Sequence, residues 1–178
     1  MANPKKELVM AAKKDQNAKR ENVIDVLNKA RSMELFAIAQ YMQQHYRLDD
    51  DNYTVLASNM RKIAIDEMKH AEAFAERIRD IEGIPTQDHA SKAILDQDVY
   101  TIYPYDSDVE MDTIEKYNEF AKVCRDNDDI VSMRLFERIT EEEQGHYNYF
   151  DDTATHIKKL DKSFLSKVAG DDVEDDAD

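Results

Sequence analysis

The stretch Ile65-Asp66-Glu67-Met68-Lys69-His70-Ala71 lies within a longer series, Leu56, Met60, Ile63, Glu67, His70, Phe74, Ile78 and Ile81. Steps of three and four residues put all eight on one face of a helix, which Gly83 and Pro85 then stop. Six of the eight are apolar, so Glu67 and His70 fall in the middle of a core face, where a lone buried carboxylate costs several kcal/mol. The same pattern returns in residues 129–160, where Ser132, Leu135, Ile139, Glu143, His146, Phe150, Ile157 and Leu160 keep helical spacing. Each helix carries Glu-x-x-His, whose i, i+3 separation turns both side chains toward one place. The first helix of the chain, of similar length over residues 20–47, runs through Val23, Val26, Leu27, Ala30, Glu34, Ala37, Ile38 and Tyr41, again with a glutamate at its centre.

Composition narrows the fold to all-α. The 178 residues include three Gly and three Pro, too few for the many hairpins of a barrel or sandwich. Between the second helix and a further one over 110–126, residues 84–108 lack helical period and hold Pro85, Pro104 and the Tyr100 to Tyr105 cluster. A connection this long suits a crossover that runs the length of a bundle, so that the second and third helices lie parallel. The expected architecture is an up-down-down-up four-helix bundle with one long crossover, and a short fifth helix from Phe164, Leu165 and Val168. The domain reads as 20–170, with solvated ends: a basic N-terminal extension over 1–19 and an acidic tail over 171–178.

Charge and cysteine usage exclude several classes of function. With 39 acidic against 24 basic residues, the net charge of −15 repels nucleic acid and anionic membranes. The one cysteine, Cys124, forms no internal disulfide and reads as a core residue. With no apolar leader or span, the chain is expected in the cytoplasm.

Carboxylates and imidazoles converging in a bundle interior cannot all stay charged and unpaired, so cations belong among them. Carboxylate oxygen with imidazole nitrogen suits iron, manganese or zinc better than calcium. The third helix should supply a matching acid. Glu115, beside Met111, Ile114, Asn118 and Ala121, fills that place, with Glu119 as a neighbouring alternative.

Three segments in this order and at these separations resemble bacterioferritins: Glu34-Leu35-Phe36-Ala37-Ile38-Ala39-Gln40-Tyr41, the 65–71 stretch, and Glu141-Glu142-Glu143-Gln144-Gly145-His146. The resemblance covers roughly residues 20–160 and is most specific at 66–71. It implies a ferritin-like bundle with two irons per subunit. Glu34 and His70 would serve one iron, Glu115 and His146 the other, with Glu67 and Glu143 bridging and Tyr41 behind them. It further implies a ferroxidase that turns Fe(II) into Fe(III) with dioxygen and stores the mineral in a hollow homo-oligomer of 24 subunits built from dimers. A ferredoxin-like or other reductase would release the iron. Met68 lies about 100° round the helix from Glu67, in line with Ala57, Ala64 and Ile65. The resemblance makes it the axial ligand of a haem shared by two subunits; the alternative is ordinary interface packing. Where the family often has a histidine for an inner-surface iron site, five residues before Glu67, this chain has Lys62. Rival readings are a rubrerythrin-like di-iron peroxidase, which one cysteine cannot equip with its rubredoxin-type module, and a dimeric haem-binding electron carrier, which molecular size would separate from a cage. Gly145 within the fourth helix costs about 1 kcal/mol relative to alanine, and sequence gives no single reason for it.

Overall fold

The computed structural model describes residues 4–170, and the acidic tail lies outside them. Five helices account for most of these residues: α1 Pro4–Asp50, α2 Thr54–Asp80, α3 Val99–Asp126, α4 Ile130–Leu160 and α5 Lys162–Val168. No strand occurs among the described residues, and none of their helices is long and apolar enough to cross a membrane. The short fifth helix forms where Phe164, Leu165 and Val168 led us to expect it, and Leu165 is buried against the bundle.

Tight turns join α1 to α2 and α3 to α4, with Asn52 and Asp128 in the left-handed region that asparagine and aspartate tolerate. Contacts across the helix pairs fix the directions. Arg77 reaches Asp129 while His70 reaches Glu142, so α2 and α4 are antiparallel. Tyr117 reaches Glu34 while Tyr41 reaches Glu110, so α1 and α3 are antiparallel too. The second and third helices are therefore parallel, and residues 81–98 carry the chain back along the bundle.

That crossover is fastened to α1 rung by rung. Asn28 Nδ2 donates to the Ile84 carbonyl, Arg31 Nε to the Thr86 carbonyl, the Ala90 amide to the Ser32 carbonyl, and the Ile94 amide to Gln40 Oε1, before Arg47 pairs with Asp96. From Asn28 to Arg47 α1 rises about 28 Å, which is the distance the connection has to cover.

Two helix boundaries differ from the sequence reading. α1 begins at Pro4 and not near Arg20, because residues 4–22 contain no glycine and many good helix formers such as Ala and Lys; side chains 13–18 are solvent-exposed. α3 begins at Val99 and not near Glu110. Asp98 caps it by accepting from the amides of Tyr100 and Thr101, and Pro104 comes early enough to remove only the bond to the Tyr100 carbonyl.

The core is in two parts. One cluster gathers Leu48, Met60, Ile102, Tyr103, Phe150 and Leu165, the other Val23, Leu27, Phe74, Ile78, Phe136 and Ile139 together with Cys124. Ala57 and Ala64 belong to the first cluster and do not continue the outer stripe expected from Met68, which leaves Met68 itself about half exposed beside partly buried Ile65. Gly83, beyond the end of α2, shows how tightly the second cluster closes. A Cβ there would stand 2.7 Å from Ile78 Cγ2 and 3.1 Å from Ile24 Cγ1. Gly83→Ala is therefore expected to cost about 1–3 kcal/mol by overpacking, seen as a lower thermal unfolding midpoint.

Candidate metal centre

Between the two apolar clusters lies a polar layer made by one turn of each long helix. α1 supplies Glu34, α2 Glu67 and His70, α3 Glu110, and α4 Glu143 and His146. The glutamates and His70 are at most 3 % exposed, and the His146 side chain is 12 % exposed. Glu67 and Glu143 each span both imidazoles. Glu67 Oε2 lies 2.9 Å from His70 Nδ1 and its Oε1 2.9 Å from His146 Nδ1. Glu143 Oε1 lies 3.1 Å from His70 Nδ1 and its Oε2 3.0 Å from His146 Nδ1. The result is two overlapping quartets, Glu34, Glu67, His70 and Glu143, and Glu67, Glu110, Glu143 and His146, whose ligand atoms lie within 4.8 Å of one another.

Electrostatics shows what the site lacks. Burial, reinforced by the charges of Glu143 and Glu67, drives the carboxyls of Glu34 and Glu110 well above the usual range, which favours their protonated forms. For Glu67 burial pushes upward, but the close imidazoles of His146 and His70 outweigh it and hold the group at about 2. Burial opposes the charged imidazoles, yet bonds to Glu143 and Glu67 raise His70 to about 12 and His146 to about 11. Two imidazolium and two carboxylic protons together carry the positive charge that two divalent cations would bring. Even so, Glu67 Oε1 and Glu143 Oε1 are buried with no properly aligned donor. Hard oxygens left unpaired between two imidazole nitrogens fit metal ions.

Two tyrosines brace the terminal acids. The Tyr41 hydroxyl donates to Glu110 Oε1, and the Tyr117 hydroxyl to Glu34 Oε1. Burial and the neighbouring carboxylates raise both phenols well above their ordinary value, so they remain donors.

The structure gathers Glu34, Glu67, His70, Glu143, His146 and Tyr41 as the sequence suggested, but corrects Glu115. That residue is exposed and outside both quartets, and Glu110 stands in its place. Five residues is about 140° of helix, so the two acids cannot share a face. The misreading came from Met111 and Ile114, which lie on the outer side, whereas the inward stripe of α3 is polar: Asp106, Ser107, Glu110 and Thr113. A signal was present in the spacing. Glu34 precedes Glu67 by 33 positions and Glu110 precedes Glu143 by 33, while Tyr41 and Tyr117 each follow their glutamate by seven. A cavity of about 260 Å³ leads from Glu34, Glu67, Glu110 and Glu143 toward Asp112 and Lys116 at the surface.

Residues 24–160 match the ferritin-like domain family. The chain is 54% identical to the bacterioferritin of Desulfovibrio desulfuricans over 89% of its own length and 87% of that protein's. The chain belongs to the bacterioferritin family. The Streptomyces coelicolor bacterioferritin is 33% identical over 82% of this chain and 88% of its own. The crystal structure of the Desulfovibrio desulfuricans bacterioferritin, described for its diiron site, superposes with a TM-score of 0.87 at 53% identity, covering 88% of this chain and 91% of that one.

One further acid lies a turn from the quartets and belongs to neither. Asp106 is fully buried, its Oδ1 accepts from Gln44 Nε2 at 2.8 Å, and its Oδ2 has no partner. Burial raises its carboxyl well above the aspartate range, only partly offset by Gln44, and no cation faces it: the titratable neighbours are Tyr41 on α1 and Tyr103 and Tyr105 on α3. An acid whose folded pKa exceeds its unfolded value takes up a proton on folding. Its contribution is full below about pH 4 and is lost as the pH rises. Asp106→Asn, which needs no proton, should therefore gain on the parent as pH increases, by at most about 1.4 kcal/mol per pH unit. Unfolding of the metal-free protein between about pH 5 and pH 8 checks this; a difference flat with pH would mean that Asp106 is ionised.

Proposed function

We propose that this chain stores and detoxifies iron, taking up two Fe(II) per subunit as substrate, oxidising them with dioxygen and holding the ferric product inside a hollow assembly. The observation that carries this reading is the pair of carboxylates, Glu67 and Glu143, each spanning both imidazoles. In this reading Glu34 and His70 bind one Fe(II), Glu110 and His146 the other, and the two spanning glutamates bridge. Glu34 and Glu110 release their protons as the cations arrive, and the resulting charge favours the ferric state. Tyr41 and Tyr117 hold the two terminal carboxylates in place. Dioxygen takes one electron from each iron, and the cavity toward Asp112 and Lys116 gives small molecules a way in.

A homo-oligomer of 24 subunits built from dimers, acting in the cytoplasm with a ferredoxin-like or other reductase for release, completes the proposal. Exposed Ile84, Leu95 and Val131 favour assembly, since a lone subunit would leave these large apolar side chains in water. Met68 is proposed to ligate a haem together with its symmetry mate, one haem per two subunits. Met68 is 53 % exposed on the outer side of α2, where a second copy can reach it. The haem would supply a redox centre at the dimer interface.

Two measurements test these assignments. Glu110→Ala should abolish the rapid phase of Fe(II) oxidation in air, whereas Glu115→Ala should leave it intact; the reverse result would overturn the ligand set. Met68→Leu should remove haem absorbance without loss of iron oxidation, while Met60→Leu, a change at a fully buried core position, should keep the haem.

A further inference from the structure

The centre has a twofold pattern in sequence: Glu34, Tyr41, Glu67 and His70 are each followed 76 positions later by Glu110, Tyr117, Glu143 and His146. Carried outward by one step, the pattern pairs Asp66 with Glu142 and Lys69 with Gly145. Here the two halves diverge. His70 Nε2, the nitrogen turned away from the bridging carboxylates, donates to Glu142 Oε2 at 3.0 Å. The corresponding acid in the other half, Asp66, is one methylene shorter, and its Oδ1 is engaged by Lys69 Nζ at 2.6 Å. Position 145, where a lysine would stand to draw Glu142 away in the same manner, carries no side chain. Nor is the glycine there for lack of room, since a Cβ at Gly145 would meet nothing within 4 Å.

A carboxylate on the outer nitrogen of a metal-binding imidazole fixes ring orientation and tautomer and makes the inner nitrogen a better ligand. We propose that Glu142 is a positioning residue for His70, that Lys69 withholds the equivalent tether from His146, and that the two metal positions consequently differ in affinity, the Glu34–His70 position being the tighter. Gly145 preserves the difference by leaving Glu142 without a competing cation three residues along its own helix, where Lys69 stands relative to Asp66. The inference rests on the two-metal reading above, and it assigns a role to a helix glycine that neither packing nor backbone conformation requires.

The test is anaerobic titration of the metal-free full-length assembly with Co(II), which binds the same donors without being oxidised, followed by visible absorption and equilibrium dialysis. The parent should bind two Co(II) per subunit in two resolved steps. Glu142→Ala should weaken the tighter step by about 10-fold to 100-fold and spare the weaker one. Glu142→Gln, whose amide oxygen still accepts from Nε2, should recover part of the loss. Gly145→Lys should mimic Glu142→Ala, whereas Gly145→Ala and Glu141→Ala, the latter at an exposed neighbour, should match the parent. Glu142 is itself about half exposed, so thermal unfolding of the metal-free variants should stay unchanged. Two equal steps in the parent, or two unequal steps that Glu142→Ala leaves in place, would overturn the inference with the two-metal reading intact. Uptake of fewer than two Co(II) by the parent would overturn that reading itself.

Discussion

Four glutamates and two histidines buried in one layer are the constraint from which the rest of this molecule follows. Carboxylates packed this closely cannot all be ionised in a low-dielectric interior without compensating positive charge, and the side chains within hydrogen-bond reach of them are imidazoles and tyrosines. The same burial and pairing favour protons on both imidazoles and on the two terminal acids, which would supply that charge. Exchanging them for divalent cations keeps the charge and gives the unpaired oxygens of Glu67 and Glu143 something to bind. Metal uptake is thus coupled to proton release. The two apolar clusters pack on either side of this layer.

The layer also explains the lengths and directions of the helices. Each quartet draws on α1 or α3 for its terminal acid and on both α2 and α4 for the rest, so all four helices must cross the same level. Tyrosines tie the sides together: each accepting glutamate sits on the helix opposite its tyrosine, and the antiparallel pairing of α1 with α3 is what brings Glu-x6-Tyr on one helix against its repeat on the other. The parallel pair α2 and α3 then obliges the chain to return along the bundle. The hydrogen bonds from Asn28 to Gln40 along α1 make that return path part of the structure.

The near-symmetry of the site is of more consequence where it fails. At the ligands themselves the two halves agree in residue type and spacing, and the distances from the two imidazoles to the bridging carboxylates differ by no more than 0.2 Å. One residue further out they differ in charge pairing, with Glu142 on His70 and Lys69 on Asp66. Two positions that look alike to a cation can in this way be given different holding strength by groups that never touch it.

Sequence alone determined the helices whose buried faces are mainly apolar. Residues 20–47, 56–81 and 129–160 announce their inner faces by steps of three and four, and that is enough to mark Glu34, Glu67, His70, Glu143 and His146 as intruders in a core. It could also say that a long crossover must join two parallel helices. Tertiary structure decided the start and the inner face of α3. The inner face of that helix near the site is built of Asp106, Ser107, Glu110 and Thr113, so hydrophobic periodicity pointed outward to Met111 and Ile114 and selected Glu115 in error. Its start was hidden as well, because Pro104 and the tyrosines read as loop until Asp98 was seen to cap them. Local pattern reveals a face only when burial is mainly apolar. Where the partners of a buried residue are other polar groups on distant parts of the chain, as Tyr41 is for Glu110 and Gln44 for Asp106, only the folded arrangement brings them together.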